Sequence, residues 1–267
     1  MSSSCSGAFS LASLPVRWKH GAVPVIGLTG AIGGGKSQVA ALLGKRGAVV
    51  IDADRVGHEV LEHPEVRHQV IERFGALVVA HGPDATASLG AIDRRALGSI
   101  VFASRPALDD LEAIVHPPMR QQFEAIIDHE SVRGCAPAVV LDAAILLEAG
   151  WDNLCDLVVF VDASQPVRLH RVARDRGWTA EVLHAREAAQ WPRERKLSRA
   201  EIVIHNDSSL EILDQNVDRL FRLATDRKSL DSRTSGTPAR AGSPVPPPVS
   251  PRRRRFSPVT LDDMLPS

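Results

Sequence analysis

A glycine-rich stretch close to the N-terminal end of the chain has the residue types of a phosphate-binding loop. It reads Gly30, Ala31, Ile32, Gly33, Gly34, Gly35, Lys36 and Ser37. This is the P-loop pattern, in which four residues separate a glycine from Gly-Lys-Ser. Glycines let the backbone approach phosphate oxygens, and successive amide N–H groups converge at the positive end of the helix that follows. The motif predicts a site for the phosphates of a nucleotide.

The P-loop pattern assigns roles to individual side chains. We expect Lys36 to reach the β- and γ-phosphates of ATP and the Ser37 hydroxyl to coordinate Mg²⁺. Asp142 is the second predicted metal ligand because it follows a short apolar strand. The predicted nucleotide-binding residues are Gly30, Ile32, Gly33, Gly34, Gly35, Lys36, Ser37 and Gln38.

Short apolar segments alternate with helical patterns around this loop. The predicted strands are 23–28, 48–51, 138–141, 157–161 and 202–204, and the predicted helical segments are 36–45, 56–74, 97–127, 167–197 and 210–223. We expect helix starts or breaks at Pro106 and Pro117. Alternating strands and helices indicate an α/β fold with a five-stranded parallel sheet covered on both faces.

Four aspartates follow predicted strands, where ligands bind in open parallel sheets. They are Asp52, Asp54, Asp142 and Asp162. The alternative is that such residues cap the next helix. For Asp162 we favour the cap, and for Asp54 we favour chemistry. A carboxylate at position 54 can orient or deprotonate an attacking hydroxyl.

The remaining charge pattern favours a phosphoryl-transfer enzyme over a GTPase. The guanine-reading sequence Asn-Lys-x-Asp does not occur in the chain. A charged helical segment carries arginines that could neutralise charge developing on the phosphates. We expect Arg171 or Arg174, or both, to act in this way, and Arg168 and Arg176 to lie on a solvated helix face.

Composition sets the limits of the prediction. Lys plus Arg and Asp plus Glu both number 32, so net charge identifies no partner, and three cysteines suit a reducing cytoplasm. We expect no nucleic-acid or membrane partner and a monomer or weak oligomer. A kinase domain at 23–227 is expected between a disordered extension at 1–22 and a disordered Pro/Arg-rich tail at 228–267.

Several further segments resemble the dephospho-CoA kinase family in their order and spacing. They are Ile26 to Ser37, Ile51 to Asp54, Asp93 to Gly98, Leu111 to Pro117 with Arg120, and the set Arg186, Gln190, Lys196, Ala200 and Asn206. The resemblance covers the chain from Val25 to about Leu223. It implies ATP-dependent phosphorylation of the ribose 3′-hydroxyl of dephospho-CoA, with Mg²⁺.

The resemblance also implies where the substrates bind. Asp54 takes the position of the family's proposed catalytic base. A helical acceptor-binding region is expected at about 56–134 and a short lid at about 168–195. The residues expected to bind the acceptor are Asp52, Arg94, His116 and Arg120. For His116 a packed histidine, and for Arg94 an exposed cation at a helix start, are the alternatives.

The chain departs from the family pattern at four positions. Ala144 replaces a proline, Glu201 replaces an aspartate, Arg168 replaces a glutamine and Asp175 replaces an arginine. Losing the proline removes a rigid turn from the acceptor side. Two alternatives therefore stay open, namely another P-loop small-molecule or nucleoside kinase and an inactive nucleotide-binding protein.

Overall fold

The computed structural model describes residues 18–21, 23–80, 90–234 and 259–260, and its side chains except those of 227–234 and 259–260. The strands are β1 (Val25–Gly30), β2 (Val49–Asp52), β3 (Val139–Asp142), β4 (Leu157–Asp162), β5 (Ile202–His205) and β6 (Val259–Thr260). The helices are α1 (Lys36–Lys45), α2 (Ala53–Glu62), α3 (Pro64–Phe74), α4 (Arg94–Ala103), α5 (Arg105–Arg133), α6 (Gln165–Arg176), α7 (Ala180–Ala188), α8 (Arg193–Leu197) and α9 (Leu210–Thr234).

The sheet has the strand order β2-β3-β1-β4-β5-β6, so the first strand of the chain lies in the middle of the sheet. The pairings of β1 with β3, β1 with β4 and β4 with β5 are parallel. The predicted α/β fold with a five-stranded parallel sheet is confirmed, and the sequence did not predict the short sixth strand. Because β1 lies between β3 and β4, its carboxyl end brings the glycine-rich loop beside Asp142 and Val161.

One hydrophobic cluster holds α1 and α9 against the sheet. Ile26 and Leu28 of β1 and Val159 of β4 are fully buried in it. Each of these residues alternates along its strand with one that faces the opposite side of the sheet, as strand geometry requires. From the helices, Val39 and Leu43 of α1 and Leu213, Val217 and Leu220 of α9 complete the cluster. The start of α1, and with it Lys36, is fixed by this packing.

The chain divides into two compact units. The first contains the described residues within 1–50 and 130–267, and the second contains those within 51–129. Within the second unit, α2 begins at a capping aspartate and α3 begins with Pro64 in its first turn. Its buried apolar residues include Val56, Val60, Val70, Leu97 and Phe123.

Several predicted boundaries were wrong. Helix α5 continues through Pro117 and Pro118, because Met119, Phe123 and Ile127 are buried and hold the following turns in place. Helix α9 ends at Thr234 rather than 223, so the predicted tail begins in a helix. The remainder of that tail lies outside the described residues except at β6, which pairs with β5.

The predicted N-terminal extension is also too long. The backbone N–H of Lys19 donates to Asp156 Oδ1 at 2.6 Å, and a His20 ring nitrogen lies 2.9 Å from the Leu154 carbonyl oxygen. Residues 18–21 are thus attached to the first unit, and residues 1–17 lie outside the described part. No helix in the described part of the chain is long and apolar enough to cross a membrane.

Candidate active site

The glycine-rich loop connects β1 to α1 and forms a nest of amide groups. The Ala31 N–H donates to the Val161 carbonyl at 3.1 Å, and the Gly34 N–H donates to the Ala31 carbonyl at 2.9 Å. Gly33 and Gly35 have φ angles of 78° and 94°, which favour glycine. Within the described residues, the N–H groups of Gly33, Gly35, Lys36 and Ser37 have no acceptor. These free donors at the positive end of α1 suit an anionic phosphate chain.

Side chains would not fit in this loop. A Cβ at Gly30 would lie 2.5 Å from the Val161 carbonyl oxygen, and one at Gly34 would lie 2.8 Å from the same atom. A Cβ at Gly35 would collide with the side-chain amide of Asn206. The glycines therefore allow close packing against β4 on one side and an open surface for phosphates on the other.

Lys36 and Asp142 are brought together at the ends of α1 and β3. Their side chains form an ion pair and are 19% and 10% exposed. Ser37 follows Lys36 and is exposed. A serine hydroxyl and a carboxylate are hard oxygen donors of the kind that Mg²⁺ prefers. The described residues contain no cluster of three potential metal ligands, but Mg²⁺ bound with ATP commonly uses only one or two protein ligands together with phosphates and water. The residues present fit the ion.

Helix α6 places two arginines against the loop from the carbonyl side. Arg168 donates from Nη1 to the Ile32 carbonyl at 3.3 Å, and it also pairs with Glu187. Arg171 donates to the carbonyl oxygens of Gly34 at 3.3 Å and Asn206 at 2.8 Å. Arg168 is 6% exposed, so its predicted position on a solvated face was wrong.

The other two arginines of α6 point elsewhere. Arg174 is exposed and forms an ion pair with the neighbouring Asp175, and this interaction raises the pKa of Arg174. Arg176 lies over the ring of Trp178, 4.7 Å from its centroid. Only Arg171 of the two predicted catalytic arginines contacts the loop, and it does so through carbonyl oxygens.

Lys196 lies at the centre of a buried polar network next to the loop after β3. Its Nζ donates to the Ala144 carbonyl and Gln190 Oε1, both at 2.9 Å, and lies 2.8 Å from Glu148 Oε1. The Thr29 hydroxyl donates to the same Ala144 carbonyl at 3.2 Å. Two side chains thus hold the turn at Ala144, where the family has a proline.

Asp162 does not cap a helix, contrary to prediction. It is 2% exposed and pairs with Arg193, whose Nε lies 3.0 Å from Oδ1. Its location under α8 explains why the cap is absent, since α6 starts after Ser164 instead. A cavity of about 300 Å³ lies beside this pair and is lined by Ile32, Arg168, Trp191, Arg193 and Lys196, among others.

In the second unit, the aspartates at the end of β2 and in the first turn of α2 have different environments. Asp52 accepts from the N–H groups of Asp54 at 3.0 Å and Arg55 at 3.1 Å, and therefore caps α2. This is the alternative that the sequence left open for Asp52. The Asp54 side chain is exposed in the first turn of α2 and remains available for chemistry.

The predicted acceptor residues lie on α4 and α5 of the same unit. Arg94 is exposed at the first position of α4, which Asp93 caps. His116 is half-buried inside α5, and burial lowers its pKa from 6.5. Arg120 donates from Nε to Glu124 Oε1 at 2.8 Å. His116 is neutral at pH 7, so it can offer a hydrogen bond to a substrate but not a full charge.

No chemical role was predicted for Asn206. Its amide donates to the Gly34 carbonyl at 2.9 Å and to Gln38 Oε1 at 3.1 Å. The family motif signalled its importance, but only the pairing of β4 with β5 brings it under the loop. Glu201, another departure from the family, accepts from the Val158 N–H at 2.6 Å and so links the same two strands.

A parallel sheet with this loop and the Lys36–Asp142 pair defines a P-loop nucleotide-binding protein. The family of dephospho-CoA kinases matches residues 24–211 of the chain. A dephospho-CoA kinase of Streptomyces avermitilis is 43% identical over 72% of this chain and 89% of its own. One of Geobacter sulfurreducens is 38% identical over 74% and 96%, respectively. The chain belongs to the dephospho-CoA kinase family.

Solved structures agree with this placement. TT1252 from Thermus thermophilus is 36% identical, with a TM-score of 0.62 over 74% of this chain and 96% of that one. Dephospho-CoA kinase from Campylobacter jejuni has a TM-score of 0.57 over 76% of this chain and 97% of its own, at 22% identity. This second likeness supports the fold alone.

Proposed function

We propose that the chain transfers the terminal phosphoryl group of ATP to the ribose 3′-hydroxyl of dephospho-CoA, which gives coenzyme A. The observation that carries this proposal is the family match across residues 24–211. That range contains the loop, Asp54, the helices with His116 and Arg120, and Asn206. The reaction is expected in the cytoplasm, with no nucleic acid or membrane required and with the chain acting as a monomer or weak oligomer.

The first unit supplies the groups that hold ATP. The free N–H groups of Gly33, Gly35, Lys36 and Ser37 bind phosphate oxygens, and Lys36 offsets charge on the β- and γ-phosphates. Ser37 and Asp142 would hold Mg²⁺, which would neutralise part of the phosphate charge. Before ATP binds, Asp142 keeps the Lys36 ammonium at the loop.

The second unit supplies the groups for the acceptor. Asp54 is exposed and not engaged in capping, so it can accept the proton of the attacking hydroxyl. Arg94 and Arg120 are candidate partners for the acceptor's phosphate groups, and neutral His116 is a hydrogen-bonding group. The cap made by Asp52 fixes the first turn of α2, which carries Asp54.

The test is a coupled ADP-release assay with ATP, Mg²⁺ and dephospho-CoA, combined with mass detection of the product. We expect one added phosphate on dephospho-CoA, and Lys36→Ala should lower kcat/KM by about a hundredfold or more. Asp54→Asn should lower kcat by roughly 10²- to 10⁴-fold, as expected for a general base, while ATP affinity is retained.

Two alternatives predict different results in this assay. A kinase with another acceptor would bind ATP but leave dephospho-CoA unchanged, and it would phosphorylate a different alcohol. An inactive binding protein would bind ATP, release no ADP with any acceptor, and be insensitive to Asp54→Asn. The two hydrogen bonds that hold the Ala144 turn count against both, because they fix the turn without proline.

A further inference from the structure

Two peptide groups of the phosphate-binding loop have side chains on their carbonyl side and free N–H groups on the other. The Ile32–Gly33 peptide accepts from Arg168, and the Gly34–Gly35 peptide accepts from Arg171 and Asn206. The N–H groups of Gly33 and Gly35 have no acceptor among the described residues. The C=O and N–H of a trans peptide point in opposite directions, and the described chain contains no cis peptide.

We propose that Arg168 and Arg171 are positioning residues for ATP, which act through the loop peptides and do not touch the phosphates. Each guanidinium holds one peptide in the orientation that presents its N–H to phosphate. Positive charge on the carbonyl side also polarises the peptide and strengthens the hydrogen bond that its N–H donates. The two arginines thereby preorganise the nest for an anion.

The surroundings of the two arginines support this assignment. Arg168 is 6% exposed and is fixed by the Ala163 carbonyl at 3.1 Å and by Glu187. Arg171 spans two backbone segments, since Nη2 binds the Asn206 carbonyl while Nη1 binds the loop. Held on both sides, these guanidinium groups have a fixed direction that a solvated arginine does not have.

The absence of a side chain at Gly33 explains how Arg168 and Arg171 can reach the carbonyl side of the loop. A Cβ at Gly33 would lie 3.0 Å from the Arg168 carbonyl oxygen and 3.0 Å from Val172 Cγ1. Helix α6 therefore packs directly on the loop backbone, and a larger residue at position 33 would push it away. Only with this close packing can side chains of α6 reach the loop carbonyls.

The proposal differs from a direct catalytic role in what it predicts for kinetics. A guanidinium that contacts the transferring phosphoryl group mainly supports kcat, by about 10³- to 10⁵-fold in the enzymes that use one. A residue that preorganises the nest supports ground-state and transition-state phosphate binding alike. Its loss therefore raises the KM for ATP and leaves kcat nearly unchanged.

The test measures Mg²⁺-ADP binding by titration calorimetry, without acceptor, for the wild type, Arg171→Gln and Arg171→Lys. We expect the Kd to rise about tenfold in Arg171→Gln, the scale of one charge-assisted hydrogen bond. Lysine restores charge but cannot hold two carbonyls as a guanidinium does, so Arg171→Lys should lie between the two. Arg176→Gln on the same helix is the matched control and should keep the wild-type Kd.

A second variant tests Arg168 without leaving the half-buried Glu187 carboxylate unpaired. The double change Arg168→Gln with Glu187→Gln removes both charges and places the family's usual residue at 168. The Kd of the double variant for Mg²⁺-ADP should be several-fold higher than that of Glu187→Gln alone. The melting temperatures of the double variant and of Glu187→Gln should be similar.

The outcomes separate the possible explanations. An unchanged Kd in Arg171→Gln, or a lower melting temperature as its sole effect, overturns the proposal. A large loss of kcat at unchanged Kd would instead make Arg171 a catalytic residue. The inference rests on the ATP-binding part of the proposed function. The calorimetric experiment uses no acceptor. Failure of the chain to phosphorylate dephospho-CoA would therefore not contradict the positioning role of Arg168 and Arg171.

Discussion

Individual residues of the site differ in how strongly their surroundings determine their protonation and charge. Lys36 and Asp142 are partly exposed and pair with each other, so each keeps a counter-charge before substrate arrives. His116 is different, because burial in α5 lowers its pKa from 6.5. At pH 7 it is neutral, and a histidine without charge can still donate one hydrogen bond to a substrate.

The lowered pKa of His116 predicts a specific pH dependence of stability. Well above pH 6.5 the residue is neutral in both the folded and unfolded chain, and its contribution does not change. As the pH falls below 6.5, the unfolded chain takes up a proton that the folded chain resists, so the free energy of unfolding decreases. We expect His116→Gln to show a smaller fall in melting temperature between about pH 7.5 and 5.5.

The control for this measurement is His58→Gln, which changes an exposed histidine on α2. It should keep the wild-type fall in melting temperature over the same pH range. Identical pH profiles for the wild type and His116→Gln would contradict the assignment of the pH dependence to His116.

At the scale of elements, two ion pairs, each with a buried member, fix the short helix α8 to the ends of neighbouring segments. Lys196 is 3% exposed and Glu148 is 15% exposed, and the two lie 2.8 Å apart. Arg193 of the same helix pairs with Asp162 at the end of β4. A helix of five residues has little stability of its own. These contacts therefore decide where α8 lies.

For the Lys196–Glu148 pair, we predict that a single substitution lowers stability more than a double substitution that removes both charges. Lys196→Met leaves the Glu148 carboxylate buried without its counter-charge and should lower the free energy of unfolding by about 3–5 kcal/mol. Lys196→Met combined with Glu148→Leu removes both charges, and most of the lost stability should return. Urea denaturation followed by circular dichroism measures both values.

An exposed pair on α9 provides the matched comparison. Arg222 is 72% exposed and lies 2.9 Å from Asp218. Arg222→Met should change stability by less than about 1 kcal/mol, because solvent screens such pairs. If the Lys196 single and double variants were equally unstable, lost packing rather than the unpaired charge would be responsible.

At the scale of the whole molecule, the family match ends at residue 211, inside α9. Helix α9 nevertheless contributes Leu213, Val217, Leu220 and Ala224 to the core that supports α1. The part of α9 beyond the family match therefore belongs to the kinase structure. The chain after Thr234 contains four consecutive arginines at 252–255 but few apolar residues.

We therefore predict different outcomes for two truncations. Removing residues 235–267 takes away the two-residue edge strand β6. Because only two paired residues are lost from the edge of the sheet, kcat/KM for ATP and dephospho-CoA should stay within about twofold of the full chain. Truncation after Asp214 removes Val217, Leu220 and Ala224 and should abolish soluble, folded protein. The coupled assay and circular dichroism test these outcomes, and lost activity in the first truncation would assign the tail a role.

The sequence by itself determined the class of fold and the family, because both follow from local patterns. The glycine spacing around Lys36, the short apolar strands and the order of the family's motifs can all be recognised in the sequence alone. The positions of individual arginines could not be derived in this way. Arg168 and Arg171 are three residues apart on one helix, and nothing in their spacing shows that α6 packs against loop carbonyls.

Tertiary structure alone decided which polar groups meet. Asp162 is the last residue of β4, as Asp142 is of β3, yet it binds Arg193 instead of capping a helix, because α8 returns to the end of β4. Helix α5 passes through two prolines because buried residues on its later turns outweigh the missing backbone hydrogen bonds. The partner of Asp162 and the continuity of α5 depend on contacts between residues that are distant in sequence. A local sequence pattern does not predict such contacts.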